Sequence, residues 1–277
     1  MKLNRIFKNL FLLLLALVAL SSCRDEVILK LNNSAPAVVI EGNISNDSVP
    51  FSVKITTTSD YYSMNIPIVK DAFVTISGSD GTKDTLVYDE GYKLYLPKQL
   101  PTYLIHPCKV GFSYTLNVIY KGKTYSATET CLPQNPIDSL KTLNMPKRGF
   151  FPAGYYLYEW TREKPGKGDC YLWNLYQNDT MLTKDFYYLE DDQYLEENGQ
   201  YLTTDFQFPF HLNDKIILEQ MAISRQFSNF LTAIQSQASR DGSPFSAPPS
   251  NIAGNISNGG MGYFAVRNII RKRLVAK

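Results

Sequence analysis

The side chains that most often do chemistry are few in this chain and badly spaced for it. Its two histidines are His106, in His106-Pro107-Cys108, and His211, after Pro209-Phe210. A Cys-His pair activates a thiol only with the imidazole in hydrogen-bond reach, and a Pro between the two reads first as a turn between strands. No HExxH, GxSxG, CxxC or P-loop spacing occurs, so the usual carriers of hydrolysis, redox and phosphate chemistry are missing. Two His and separated Cys give no zinc spacing, and neither a metal nor a cofactor is expected. The densest acidic stretch is Glu190-Asp191-Asp192 followed by Glu196-Glu197. It departs from the EF-hand pattern and reads as an exposed turn with solvated charges, Ca²⁺ being the alternative. A pair drawn from Asp185, Glu190, Asp191 or Asp192 would serve a hydrolase only if held about 5–9.5 Å apart across a cleft. Aromatic residues crowd the same region: Phe186, Tyr187, Tyr188, Tyr194, Tyr201, Phe206, Phe208 and Phe210. Alternate residues of a strand face opposite sides, so about half of these reach solvent. Tyr187, Tyr188, Tyr194 and Tyr201 are the candidate ligand- or partner-binding residues, since Tyr joins an apolar body to a polar tip. The alternative is cross-strand aromatic pairing within a sheet.

A fourth kind of chemistry is acylation of a thiol. Leu10 to Leu20 are consecutive apolar residues behind Lys2, Arg5 and Lys8, and they lead into Leu20-Ser21-Ser22-Cys23. A bilayer span needs about 20 apolar residues, so this run fits the core of a secretory signal peptide instead. Its end resembles the bacterial lipobox, in which the chain is cut before a Cys that carries a thioether-linked lipid. The expectation is therefore a signal peptide over 1–22, lipidation with palmitate-type chains at Cys23, and a tether over 23–35. More than one acyl chain gives stable membrane anchoring where one gives marginal binding. Arg24-Asp25-Glu26 behind the anchor resembles the surface-export signal of lipoproteins in Bacteroidota, the alternative being an ordinary solvated tether. The expected location is the outer membrane, lipid-anchored, facing the cell surface.

Beyond the leader, composition excludes more than it assigns. Without Lys2, Arg5 and Lys8, the 28 basic residues fall to 25 against 26 acids. That balance gives no support for nucleic-acid binding. Arg267, Arg271, Lys272, Arg273 and Lys277 make one basic tail, read as a solvated terminus beside a final strand. Cys108 and Cys131 flank a hairpin about Lys121-Gly122; simple pairing leaves them four residues out of register, roughly 13 Å, too far for a cystine without a fold-back. No disulfide framework is expected.

Nineteen Tyr, fifteen Phe, fifteen Pro and sixteen Gly indicate a mainly β protein with many reversals. Strands are expected at 37–44, 51–56, 71–76, 85–88, 92–96, 112–120 and 123–128. Seven short strands in about 100 residues are the pattern of an immunoglobulin-like β-sandwich, placed over 36–132. Leu132-Pro133-Gln134-Asn135-Pro136 reads as a linker. A second β-rich domain, 133–277, follows with strands at 154–160, 170–177, 181–189, 201–208, 216–223 and 262–269. Its one short helix, about 224–236, is capped by Ser224 and carries Phe227, Phe230, Leu231 and Ile234 at helical spacing.

These segments resemble a family. Val38-Val39-Ile40-Glu41-Gly42-Asn43-Ile44-Ser45, Phe51-Ser52-Val53-Lys54-Ile55, Asp71 to Ile76, Gly91-Tyr92, Gly111 to Leu116 and Gly122-Lys123-Thr124-Tyr125 are similar to its successive motifs. Asn251-Ile252-Ala253-Gly254-Asn255-Ile256-Ser257-Asn258-Gly259 with Gly262-Tyr263-Phe264 is similar to its closing motif. The family is that of Bacteroidota lipoproteins catalogued as domain of unknown function 4249. The resemblance implies an accessory role beside TonB-dependent outer-membrane receptors and implies no catalytic residue. The leading expectation is a non-enzymatic binding subunit of a TonB-dependent nutrient uptake system. A structural or adhesion module without a small ligand is the second, and a hydrolase with a carboxylate site the third.

Overall fold

Period-two alternation carries more than half of the described residues into strands. The computed structural model describes residues 35–47, 51–59, 63, 65–98, 107–161, 165–192, 202–203, 206–239 and 251–277. Its first seven strands are β1 (Val38–Ser45), β2 (Ser52–Thr57), β3 (Phe73–Gly78), β4 (Lys83–Asp89), β5 (Leu94–Pro97), β6 (Ser113–Tyr120) and β7 (Lys123–Thr130). They run side by side in the order β1-β2-β5-β4-β3-β6-β7. A Cβ on Gly42 of β1 would lie 3.1 Å from Leu116 of β6, five places away in that order, so the sheet turns back on itself and its ends face each other as in the expected sandwich. Alternate residues of both layers, among them Ile40, Val53, Val74, Leu116 and Val118, meet in one core.

The chain passes the expected boundary near 132 without leaving the sheet. The later strands are β8 (Ile137–Met145), β9 (Gly154–Thr161), β10 (Cys170–Gln177), β11 (Thr180–Met181), β12 (Tyr188–Asp191), β13 (Leu202–Thr203), β14 (Phe206–Phe210), β15 (Lys215–Ile223) and β16 (Met261–Val275). β16 joins the two halves. Met261 to Arg267 pair in parallel with Val39 to Ser45 of β1, and Asn268 to Val275 pair antiparallel with β15. Twelve strands thereby share one sheet, and Pro36–Lys277 is one compact unit. β16 is longer than expected by six residues at its C-terminal end, so most of the basic tail is strand. Arg271 there is no solvated charge: it bonds Asp47 at 2.7 Å and Glu219 through its Nε at 2.7 Å.

The linker reading also changes. Asn135 is fully buried, and Gln134 donates to the Gln220 carbonyl at 2.7 Å. β8 starts directly after it and was not expected as a strand. Its register on β9 slips between Ile137 and Ser139, so Ile137 and Leu140, three residues apart, face the same core and the alternation is broken.

Close approach of backbones fixes the junction. Gly262 has φ +93°, and a Cβ there would lie 2.2 Å from the Ile40 carbonyl oxygen. Asn255 bonds both the N–H and the C=O of Phe264, at 2.9 Å each, as a neighbouring strand would. The three described cysteines are free thiols. Phe112 N–H donates to the Lys109 carbonyl at 3.1 Å with Gly111 in the left-handed region, and this turn supplies the fold-back that simple hairpin counting lacked. It brings the Cys108 thiol beside that of Cys131 in the core; this neighbour and burial hold the Cys108 thiol protonated.

Candidate binding groove

The sheet of β10, β15 and β16 is covered on both faces, which is why Cys170-Tyr171-Leu172-Trp173 is buried without a break. On one face Tyr171, Trp173, Leu175, Ile216 and Leu218 meet Leu157 of β9 and Phe210 of β14, members of a separate four-stranded sheet. On the other face Cys170, Leu172, Met221, Ile223, Tyr263 and Ala265 meet a helix, α1 (Arg225–Ala238). α1 begins as its sequence demands: the Ser224 side chain accepts from Phe227 N–H at 3.1 Å. Phe227 and Leu231 are buried against the sheet, whereas Phe230 and Ile234 are only half-buried. They overhang a cavity of about 470 Å³.

The floor of this groove follows from the strand period. Val39, Glu41 and Asn43 of β1 and Met261, Tyr263, Ala265 and Arg267 of β16 all point to it. Phe227, Phe230, Leu231 and Ile234 form the helical wall, with Tyr187 and Ile252 at the margin. Among these lining residues Glu41 is the one carboxylate; it is largely exposed and lies 4.0 Å from Lys54. Both volume and lining match those of small-molecule sites.

Two polar features shape it. Tyr263 O–H donates to buried Glu129 at 2.5 Å, and Ser224 donates to the same oxygen at 3.1 Å. Burial raises the Glu129 pKa against these bonds, and burial likewise raises that of Tyr263. The network ties the helix start, β7 and the groove floor together. Arg267 is the second feature. Among the described residues its Nε, sealed from water, has no acceptor, and its Nη1 meets only Met221 Sδ at 3.8 Å. Burial pulls the guanidinium's pKa down. Glu219, whose charge opposes that shift, is already bonded to Arg271, Asn174 and Tyr176.

The expected site residues are scattered. Tyr187 faces the groove, its backbone N–H held by Gln235 Oε1 of α1 at 2.6 Å. Tyr188, one residue on, packs into the opposite core and pairs with Trp173. Tyr194, Tyr201, Cys23, Arg24, Asp25 and Glu26 lie outside the described residues, as does His106. The other aromatics are mainly packing: Phe210 is 1% exposed and Phe186 stacks on Phe208 at 6.0 Å.

The described part of the acidic stretch is strand rather than turn, and Glu196 and Glu197 lie outside the described residues. Glu190 and Asp191 belong to β12, and Asp192 is sealed, accepting from Gly168 N–H at 2.8 Å and Asp169 N–H at 3.0 Å. Asp191 lies 3.2 Å from Arg225, and none of these acids lines the groove. Among the described residues no group of three His, Cys, Asp or Glu is placed to hold a metal ion. Sequence reasoning missed Arg267 and the half-buried helical face. The signal for Arg267 was its place on the same face as Tyr263 and Ala265, directly after the apolar and aromatic run Tyr263-Phe264-Ala265-Val266.

Residues 24–273 match the family described as Domain of unknown function (DUF4249), and the chain belongs to it. Among curated proteins none matches the chain.

Proposed function

We propose that the protein is a non-enzymatic, lipid-anchored binding subunit of the outer membrane or cell surface, accessory to a TonB-dependent nutrient receptor. The observation that carries a binding role is the groove: about 470 Å³, walled by aromatic and aliphatic residues and open along α1. The anchor rests on the lipobox-like Leu20-Ser21-Ser22-Cys23, the surface location on Arg24-Asp25-Glu26, and the receptor on what resemblance to the family implies. The test is capture of the tagged full chain from detergent-solubilised outer membrane, with identification of what comes with it. A receptor barrel is expected, and its recovery should fall on Tyr187→Ala at an unchanged melting temperature. A chain captured without any barrel would end the uptake reading.

One observation favours the adhesion reading. Phe73 of β3 pairs with Ile119 of β6 on the outer face, and both are exposed, with Val87 of β4 exposed beside them. A small apolar patch of this kind suits a protein contact. If Val87→Asp with Phe73→Ser abolishes capture while Tyr187→Ala does not, the sandwich rather than the groove makes the partner contact.

A further inference from the structure

We infer that the groove takes an elongated apolar molecule ending in a single carboxylate, which Arg267 receives. This rests on the groove being the binding site of the proposed function, and it adds the chemical class of the ligand. The floor is graded along its length. Met261, Tyr263 and Ala265 are apolar or aromatic, and Arg267 with Asn43 closes one end. From Met261 to Arg267 is six residues of strand, roughly 20 Å, enough for an extended chain of about a dozen carbons. Phe227, Phe230, Leu231 and Ile234 supply the facing wall, so such a chain would lie between apolar surfaces, with Glu41 beside Tyr263 as the one carboxylate among the lining residues.

The carboxylate follows from what Arg267 lacks. A guanidinium carries five donors and stays charged in proteins, so a desolvated one needs an acceptor rather than a lost proton. Among the described residues the Arg267 guanidinium meets no oxygen acceptor, only the Met221 sulfur at 3.8 Å, and the side chain lines the cavity. A planar carboxylate matches the guanidinium fork with two parallel bonds. Arg267 carries a single positive charge, which one carboxylate balances, and Glu41 along the same floor disfavours a phosphate dianion.

The test is equilibrium binding of radiolabelled dodecanoate and dodecanol to the full chain in phosphatidylcholine nanodiscs, with partition into empty discs subtracted. The expected result is saturable dodecanoate binding at least about tenfold tighter than dodecanol. Arg267→Met should bring the ratio to about one while dodecanol binding persists. Arg267→Lys, which keeps the charge, should retain a preference for the acid. Ile234→Glu, at the half-buried wall, should weaken both ligands and keeps the test alive should Arg267→Met fail to fold. Three results overturn the inference: no saturable dodecanoate binding, a tenfold preference surviving Arg267→Met, or displacement of dodecanoate by no apolar acid but by an apolar peptide. Loss of dodecanoate binding with receptor capture intact removes the carboxylate alone; retained binding without any receptor removes the uptake role alone.

Discussion

Each face of the β10-β15-β16 sheet has an ionisable group buried beside it, and the two are left in opposite conditions. On the small-sheet side, Glu159 of β9 is wholly inaccessible and among the described residues neither carboxyl oxygen has a partner. Burial, with Glu190 adding repulsion, pushes its pKa up to about 8. An acid so placed escapes the cost of a buried charge by holding a proton, and the site stays sealed. On the helix side Arg267 has no such escape, and there the packing is left open. A buried acid can therefore belong to a closed core, whereas a half-buried arginine that meets no carboxylate among the described residues points to something that arrives from outside. The contrast separates packing from binding within one sheet.

The strongest way to break this comparison is to truncate one large aromatic on each face. Trp173 is 1% exposed in the sealed core. Trp173→Ala should cost about 3–5 kcal/mol, as large truncations in closed cores do. Phe230→Ala, at the half-buried groove wall, should cost clearly less in the same denaturant titration. Equal costs would mean that the helix side is packed as tightly as the other.

The acid gives a pH signature of intermediate size. Folded Glu159 holds its proton to about pH 8, while an unfolded Glu releases it near pH ~4.3. The folded state thus binds more protons between these values, so this stabilising term is full below about pH 4 and is lost as pH rises through 8. Melts of the parent should show a decline on the order of 2–4 kcal/mol between pH 5 and 8. Glu159→Gln, which cannot ionise, should flatten that decline; an unchanged profile would show that the carboxyl is solvated. The smallest effect belongs to the groove floor. Tyr263→Phe removes one donor from Glu129 and should cost about 1 kcal/mol, with more change in dodecanoate affinity than in melting temperature.

Much of the fold was legible because its elements obey local rules. Ser224 caps a helix with Phe227 and Leu231 on one side, and the seven alternating segments of the sandwich became its seven strands. β8 escaped because a bulge next to Asp138 shifts the phase of its alternation. The groove escaped for a different reason. Its floor joins residues near 41 with residues near 265, and no local pattern announces a parallel pairing so distant in sequence. Tyr187 was found among the clustered aromatics, but alternation alone could not say that Tyr188 would be the one turned to the core. The closing motif of the family had a structural meaning that its letters hid. Gly254, Asn255, Gly262 and Tyr263 clamp β16 in place and set the groove floor.

The parallel seam between β1 and β16 also dictates when the protein can fold. The Asn46–Asn268 side-chain bond spans 222 residues of sequence, and all seven seam pairings lie at similar range. Such contacts close slowly, because the loop entropy must be met before they form. Until the last strand arrives, β1 presents an unpaired edge, the kind of template on which other chains add. The nascent first half is therefore an aggregation-prone intermediate that only the C-terminal residues can retire. Folding is completed from the end of the chain backwards, and truncations at that end should harm solubility before they touch any ligand.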